Sequence, residues 1–431
     1  MLSYSDMFNK MEILIFFLGF GVRFICALVI QFLFGAQGFA AYSDAGTFLT
    51  VADNFITRGA MSQTTTEPFA PISLHTPLYP LFLAFFLWLK IPLLGIVAVQ
   101  NIFAGLSSIF VYRIGKILFN SGAVGIIAAL LFIFEPISIY WNNLLMSDNL
   151  FSFLLLLAFY LFVIKRFYAF AVVLGLATLA RPIGLYFFPL FLLIFIFQRY
   201  YGSDFPWKKL LLVCLLFLLA LSPWMIRNKI LFDTLKLSSA GWLNLYIFTF
   251  AKFAKQQEFS LPMPVMPPDY PGQNQVVFNY DFINVPFYKS NIFKIVSEYP
   301  LEYLKFHFSY ILKTFDYHGY SYLMDYVVRV KFPQAGAELG FWLVQVGQKF
   351  WRLFYVLAAI ALIRKENRVW SLFLLAFVVW NNFLLAASGP SQGGRYGLPV
   401  MPMIMLLGSL GAVEAYKLIR DFYLRRLSVR F

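Results

Sequence analysis

The chain has 431 residues, of which 61% are hydrophobic and 13% are charged, and its mean hydropathy is +0.74. Soluble domains carry about 45–50% apolar and about 25% charged residues, so this composition excludes a water-soluble globular protein. The net charge of +14 does not indicate a nucleic-acid partner, because the basic residues stand at the ends of apolar segments, as the positive-inside rule expects.

The apolar segments predict an all-α polytopic membrane protein with about ten transmembrane helices, since about 20 apolar residues cross a bilayer. The predicted spans are 11–34, 92–112, 122–141, 149–164, 167–180, 183–198, 209–226, 342–363, 369–387 and 398–416. The first is expected to stay as an anchor rather than to be removed as a signal peptide, because no small-residue cleavage site follows it. No internal repeat is visible, which disfavours an inverted-repeat transporter.

The basic residues predict that the N-terminus lies inside the cell. With this orientation the turn 142–148 on the external side contains no basic residue, and 388–397 contains only Arg395. The cytoplasmic connections then hold Arg113, Lys116, Lys165, Arg166, Arg199, Lys208, Lys209, Arg364, Lys365, Arg368, Lys417, Arg420, Arg425, Arg426 and Arg430. Counting the apolar stretch 77–89 as a span would invert this distribution, so we expect it to form a re-entrant or interfacial helix on the external face.

Three parts follow from this topology. Residues 1–226 form an N-terminal transmembrane module with an external loop at 35–91, residues 227–340 form an external juxtamembrane region, and residues 341–431 form the C-terminal spans and a basic cytoplasmic tail. In the middle region, the proline-rich segment 262–273 is expected to be irregular. Apolar residues at helical spacing, with lysines between them, predict a helix in the membrane interface at 300–315.

Aspartates near the external membrane surface are the first candidates for chemistry. Asp44 follows the first span, and Asp148 stands where the third span ends and the fourth begins. A carboxylate there can act as a general base or a metal ligand. Each could instead cap a helix, with Ser43 and Ser147 as competitors for that role. Asp53 lies about two and a half turns beyond Asp44 on another face of the same helix, and it fits a solvated charge better.

Glu135 lies inside a predicted span and is followed by Pro136, which is expected to kink the helix. An ionisable group buried in a membrane is a functional candidate by default. A hydrogen bond that stabilises the kink is an equally good interpretation. Tyr79 and Tyr396, which stand in two of the motifs quoted below, are further candidates.

Cationic side chains gather on the same predicted face. Arg181, Arg227 and Arg395 stand at external ends of spans, and His75 precedes the re-entrant helix. Each arginine alone is explained as an interface anchor whose charge reaches toward the headgroups. Three arginines on the external face, where the positive-inside rule predicts few basic residues, favour a phosphate-binding cluster. Arginine binds phosphate oxygens through two parallel N–H groups. The phosphate of a lipid whose tail stays in the bilayer fits such a cluster.

The order of motifs along the chain resembles the GT-C glycosyltransferases, specifically the bacterial relatives of protein O-mannosyltransferases and of the lipid A aminoarabinose transferase. The similar elements are YSDAGTFLTVADNFITRG, HTPLYPLFLAFF, LLMSDNLFSFLLLLAFYL, GLATLARPIGLYFFPL, SPWMIRNKILFDTLKLSSAGWLNLY and GGRYGLPVMPMIMLL. They cover most of the chain except about 250–340.

The resemblance implies a GT-C-like helical bundle that uses a sugar linked to polyprenyl phosphate on the non-cytoplasmic side. It implies Asp44 as the catalytic base and Asp148 as the acid of the second external loop. This chain has Ala45 after Asp44, where many relatives have an Asp-Glu pair. It has His75 where some relatives have a lysine, and a histidine carries no permanent charge near pH 7.

Together these observations predict an inverting transferase in which Asp44 deprotonates an acceptor hydroxyl or amine, with 1–226 as the catalytic module. Arg227, Arg395, Arg181 and His75, in that order, are the candidates that hold the departing lipid phosphate. No cofactor is required, and a divalent metal is optional, with Asp44 and Asp148 as its candidate ligands. The acceptor could be a lipid, a glycan or a protein. The chain contains no N-glycosylation sequon, which favours a bacterial inner membrane with the site facing the periplasm.

Other classes of protein stay open at this point. A transporter or flippase for lipid-linked substrates also has many spans, but it predicts a continuous polar pathway, whereas the charged residues here gather on one face. A glycan polymerase or ligase with a diphosphate-linked donor is a variant of the enzyme class. A lipid-binding scaffold would tolerate the loss of both Asp44 and Asp148, and an enzyme would not.

Overall fold

The computed structural model describes residues 9–41, 43–200, 207–270, 275–316, 349–363, 365–388, 395 and 397–428. Regular structure in these ranges is helical, apart from an isolated antiparallel bridge between Ser62 and Pro71. The helices are α1 (Lys10–Phe34), α2 (Ser43–Arg58), α3 (Leu78–Trp88), α4 (Leu93–Phe119), α5 (Gly122–Ile133), α6 (Pro136–Asn142), α7 (Ser147–Val163), α8 (Phe167–Ala180), α9 (Phe188–Tyr200), α10 (Trp207–Phe232), α11 (Ala240–Asn244), α12 (Ala251–Gln256), α13 (Gln275–Asn279), α14 (Val285–Glu298), α15 (Pro300–Asp316), α16 (349–361), α17 (Arg368–Ser388) and α18 (Met401–Ser428). Short 3-10 turns occupy Gly35–Ala40 and Pro182–Phe187, and Leu245–Phe250 is a π-helix.

The predicted number of about ten transmembrane helices is not confirmed. In the described part of the chain five helices are long and apolar enough to cross a membrane. They are Lys10–Ala40, Leu93–Phe119, Lys208–Phe232, Lys365–Ala386 and Leu398–Leu424. Helices α7 and α8 start and end within two residues of predicted spans, but they contain 17 and 14 residues. Both are shorter than the roughly 20 residues that a perpendicular span needs.

The helix predicted at 122–141 bends by 57° between α5 and α6, at the position where Pro136 was expected to kink it. Pro136 cannot continue the helix, since it lacks an N–H group and its ring collides with the preceding turn. Taken together, α5 and α6 would count as a sixth, broken span. Helix α3, in the stretch expected to be re-entrant, has 11 residues and is about 16 Å long, well short of the bilayer core.

Aromatic side chains and close helix contacts hold the bundle together. Phe162 packs against Phe191 and Phe195 with ring centroids 5.0 Å apart in both pairs. A Cβ atom at Gly115 would lie 2.8 Å from the Cα atom of Gly125, so α4 and α5 touch backbone to backbone. Small residues of this kind are what allow close helix packing where lipid supplies no hydrophobic driving force.

The region between α10 and α16 forms a second cluster of buried residues. Tyr246, Phe250, Tyr288 and Phe306 lie in its core and pack next to Ala386 of α17. The described part of the proline-rich segment, 262–270, contains no helix or strand, as predicted. The helix predicted at 300–315 is present as α15. Its apolar side chains face two ways, because Phe306 and Tyr310 are buried whereas Leu301, Leu304, Phe308 and Leu312 are exposed.

Helix α4 connects two chemically different ends of the bundle. Near its C-terminus, Arg113 forms two hydrogen bonds with Glu12 at the start of α1, at 2.8 and 2.9 Å. Near its N-terminus, Gln100 reaches the turn between α6 and α7. The candidate catalytic residues lie at this second end.

Candidate active site

Charged side chains from separate parts of the chain come together around Arg395. Its Nη2 atom lies 2.8 Å from Asp44 Oδ2, and its Nε donates a 2.8 Å hydrogen bond to Asp148 Oδ2. Asp148 also accepts a hydrogen bond from Arg181 Nη1 at its other oxygen, Oδ1. Four residues that the sequence singled out are therefore joined into one ion-paired cluster.

The two aspartates of this cluster differ in accessibility. The Asp148 side chain is 1% exposed, and the Arg395 side chain is 5% exposed. The Asp44 side chain is 40% exposed. Asp44 can therefore meet a ligand from outside, whereas Asp148 is enclosed by its arginine partners.

Local structure explains why these carboxylates point into the site. Asp44 and Asp148 stand in the first turns of α2 and α7, where a helix dipole favours negative charge. The alternative that Asp148 or Ser147 caps α7 is not what the structure has, because the N-cap residue is Met146 and no side chain caps it. The carboxylate of Asp148 binds arginines instead. Arg181 follows the last residue of α8 in extended conformation, just before Pro182.

Uncharged side chains that sequence reasoning missed hold the turn that leads to Asp148. Gln100 Nε2 donates to the carbonyl oxygens of Asn142 and Leu144, at 3.0 and 2.9 Å. Asn149 Nδ2 also donates to the Leu144 carbonyl, at 3.0 Å. The neighbouring Asn101 donates to Asn143 Oδ1 at 3.0 Å. The available signal was two consecutive amide side chains, Gln100 and Asn101, inside a predicted apolar span.

His75 and Tyr79 approach the cluster from the start of α3. The Phe48 ring of α2 lies 4.4 Å from the His75 ring and 4.9 Å from the Tyr79 ring, measured between centroids. Tyr79 donates a 2.9 Å hydrogen bond to Gln100 Oε1. The α2 helix, the start of α3 and the Asp148 turn are thus connected through side chains.

Burial and nearby charges change the pKa values of His75 and Asp44 in different ways. Burial lowers the pKa of His75 to about 4, an effect that Asp44 opposes and that Arg181 and Arg395 strengthen. His75 is therefore neutral at pH 7. Burial would raise the pKa of Asp44, but the charge of Arg395, with smaller contributions from His75 and Arg181, holds it below its usual range. Asp44 is therefore ionised at pH 7.

Arg227, ranked first among the predicted phosphate ligands, lies apart from this cluster. Its Nη1 atom donates to the Ile72 carbonyl at 2.7 Å and to Asn228 Oδ1 at 2.8 Å. Its guanidinium lies 4.4 Å from the Trp224 ring centroid. Within the described ranges it forms no ion pair. Its contacts hold the segment that leads to His75.

The remaining candidates occupy other positions. Glu135 caps α6, where its Oε2 accepts a 2.5 Å hydrogen bond from Ser138 N, so the structure has the hydrogen bond at the kink. Asp53 is exposed on α2. Tyr396 lies outside the described residues.

Arg23, fully buried in α1, was missed by sequence reasoning. It donates to the carbonyl oxygens of Phe132 and Ile133, which the break after α5 leaves without helical partners, at 3.0 and 3.3 Å. It also donates to Ser138 Oγ at 2.9 Å. An arginine in the middle of the first apolar segment was the signal that could have revealed it.

The side chains that could bind a metal ion do not form a metal-binding group in the described part of the chain. Over the part of the chain that the structure describes, no three histidine, cysteine, aspartate or glutamate side chains come together as a group that could hold an ion. Asp44 and Asp148, the candidate ligands, both bind Arg395.

Comparison with known families adds independent evidence on the same part of the chain. Residues 74–226 match the model of the dolichyl-phosphate-mannose-protein mannosyltransferase family. The match supports the GT-C superfamily. It covers about a third of the chain and contains His75, Tyr79, Glu135, Asp148 and Arg181. No curated protein matches the chain.

The family and the long apolar helices have two consequences. Together they support an integral membrane protein and a glycosyltransferase. The matched family implies a sugar donor linked to polyprenyl phosphate. The match supports the superfamily but does not point to a specific member of it.

Proposed function

We propose that this protein is an inverting glycosyltransferase that moves a sugar from polyprenyl phosphate to an acceptor hydroxyl or amine on the non-cytoplasmic face. The observation that carries the proposal is the cluster in which Arg395 joins an accessible acid, Asp44, to a buried one, Asp148. The acceptor is a lipid, a glycan or a protein side chain. A bacterial inner membrane is the proposed setting.

The difference in exposure between the two acids suggests a division of roles. Asp148 holds Arg181 and Arg395 in place from the interior and serves as a positioning residue. Asp44 faces the accessible side and serves as the general base, since a base must reach the proton that it removes. The positive charges of Arg395 and Arg181 both lower the pKa of Asp44, so both arginines act on the site of the proposed base.

The reaction proposed for this site is a single displacement. The acceptor oxygen or nitrogen attacks the anomeric carbon and forms the new glycosidic bond, and its proton passes to Asp44. The bond between the anomeric carbon and the phosphate oxygen breaks on the opposite face, and the electron pair leaves with the polyprenyl phosphate. Attack and departure on opposite faces invert the anomeric configuration.

The charge that develops on the departing phosphate calls for fixed cations, because such groups stabilise a transition state most when they are already oriented. Arg395 and Arg181 meet this requirement better than Arg227, since Asp148 fixes both of them beside Asp44. Neutral His75 can donate one N–H hydrogen bond to the phosphate. In this scheme Arg227 acts by holding the Ile72 segment, and a divalent cation is optional.

Binding of the donor would also activate the base. The ion pair with Arg395 keeps Asp44 a weak base. A phosphate that takes up N–H groups of Arg395 competes with this ion pair and raises the basicity of Asp44. The base then becomes active when the donor is in place.

The distribution of basic residues supports the proposed orientation. Arg113 and Lys116 stand at the end of α4 that is remote from Asp148, and Lys417 stands in the C-terminal half of α18. Lys165 and Arg166 follow the C-terminal end of α7, which starts in the site. Positive charge is expected on the cytoplasmic side, which leaves the Asp44 cluster outside.

The test is a transfer assay with purified protein in lipid nanodiscs. A panel of polyprenyl-phosphate sugars is incubated with candidate acceptors, and released polyprenyl phosphate is measured. We expect release with at least one donor and its loss in Asp44→Asn, which keeps the size of the side chain and removes its basicity. Asp233→Asn is the matched control, because Asp233 is 91% exposed and binds only its neighbour Lys229 in a surface ion pair.

Two results would contradict the proposal. One is transfer by Asp44→Asn at the wild-type rate with normal expression. The other is movement of labelled donor across the bilayer without any release of polyprenyl phosphate, which would identify a flippase.

A further inference from the structure

A small cavity lies inside the bundle beside the first turns of α7. Its volume, taken over the positions that the centre of a water molecule can occupy, is about 20 Å³. Part of its wall is apolar, formed by residues such as Phe103 and Leu156. Its polar lining comes from α4, α6 and α7 and consists of Ser107, Ser138, Asn142, Asn149 and Ser152. So many polar groups around an internal space are costly in an apolar bundle unless each forms hydrogen bonds.

Asn149 presents an acceptor to this cavity. The residue is 4% exposed. Its Nδ2 atom donates to the carbonyl oxygens of Trp141, Asn142 and Leu144, at 3.0, 3.3 and 3.0 Å. These bonds fix the amide with its nitrogen toward the turn, so Oδ1 points the other way. Oδ1 is buried and has no hydrogen-bond partner in the described part of the chain.

Ser152 presents a second polar group one turn further along α7. Its Oγ atom is buried and likewise finds no partner among the residues that the structure describes. Residues three apart on a helix lie on the same side, so Asn149 and Ser152 line the cavity together. Buried polar atoms without a protein partner are normally satisfied by ordered water.

We propose that this cavity binds one or two water molecules, held by Asn149 Oδ1 and Ser152 Oγ. A buried water needs roughly 10 to 15 Å³ of such volume and two to four polar partners, and the cavity offers both. The same volume excludes a sugar ring or a lipid headgroup. The water donates to Asn149 Oδ1 and exchanges a hydrogen bond with Ser152. Because Asn149 holds the turn before Asp148, the bound water supports the position of that turn whether or not the proposed reaction occurs.

Two measurements on the full chain test this site. In a map that resolves ordered water elsewhere in the bundle, we expect a peak within hydrogen-bond distance of Asn149 Oδ1 and Ser152 Oγ. Ser152→Val fills the space with methyl groups and removes the hydroxyl, so it should lower the melting temperature. The matched control is Ser222→Val in α10, where the hydroxyl already donates to the Leu219 carbonyl at 2.9 Å. We expect the control to melt close to the wild type.

A dry cavity predicts the opposite results. The map would have no peak at Asn149 and Ser152, and Ser152→Val would melt higher than the wild type because apolar filling of an empty space is stabilising. An empty wild-type map overturns the proposal on its own, so the test does not depend on whether the valine variant folds.

Discussion

Asp148→Asn removes one charge from the centre of the arginine cluster while keeping the size of the side chain. In the wild type, Asp148 is 1% exposed and binds Arg181 through one oxygen and Arg395 through the other. In the variant, Arg395 keeps its ion pair with Asp44, but Arg181 loses its ion pair with Asp148. The amide also places an N–H donor where a carboxylate accepted a hydrogen bond, so one arginine faces a donor.

The size of the effect follows from burial. Removing one partner of a buried ion pair costs about 3–5 kcal/mol, because the remaining charge stays where water cannot reach it. The Arg181 side chain is 19% exposed, so solvent screens part of its charge. We therefore expect a loss near the lower end of that range, about 3 kcal/mol in the free energy of unfolding.

Unfolding in mixed micelles of increasing denaturing detergent measures this loss. Asp233→Asn is the control, because it breaks a surface ion pair and should leave the midpoint nearly unchanged. In a double-mutant cycle, Asp148→Asn combined with Arg181→Gln should lose less than the sum of the single changes, because the charges act as one unit. If Asp148→Asn unfolds at the same midpoint as Asp233→Asn, the arginine cluster around Asp148 does not stabilise the folded protein.

Further predictions concern pH, the helix break and helix packing. Folding lowers the pKa of His75 from its usual 6.5 to about 4, so between these two pH values the unfolded state binds a proton that the folded state does not. The free energy of unfolding should therefore decline as the pH drops from 6.5 to 4. His75→Gln should reduce this decline, and an unchanged pH profile would contradict the burial of His75. Arg23→Met should lower the free energy of unfolding, because it leaves the carbonyl groups of Phe132 and Ile133 without donors, and a buried polar group left without a partner costs about 1–3 kcal/mol. An unchanged midpoint in detergent unfolding would contradict this role of Arg23. Gly125→Ala should lower the melting temperature, because its Cβ would lie 2.5 Å from the Tyr112 carbonyl oxygen, whereas Gly122→Ala meets nothing within 4 Å and should not.

Much of the candidate site could be recognised from isolated residues. Asp44 and Asp148 were singled out because both stand at the predicted external membrane surface, and Arg181 and Arg395 because they stand there against the positive-inside bias. Their pairing could not be predicted. Asp148 and Arg395 are 247 positions apart, and no local pattern says which of several arginines meets which acid.

Two kinds of error have physical explanations. Gln100, Asn101 and Asn149 were missed because a neutral amide in an apolar helix is compatible with many roles until its partners are known. At 122–141 the kink at Pro136 was expected, but the sequence did not show that the helix would end at Ile133 and begin again at Pro136. Whether a proline bends or ends a membrane helix depends on what satisfies the freed backbone groups, and here Arg23 comes from a different helix to do so.

Composition and hydropathy were sufficient by themselves to indicate a helical membrane protein, because the free energy of moving apolar and charged groups between water and lipid depends on each segment alone. Tertiary structure alone decided that Arg395 joins Asp44 to Asp148, that Arg227 stands apart from them, and that only one of the two acids is accessible. Exposure and ion pairing depend on which helices become neighbours, and that is a property of the packed bundle rather than of any segment.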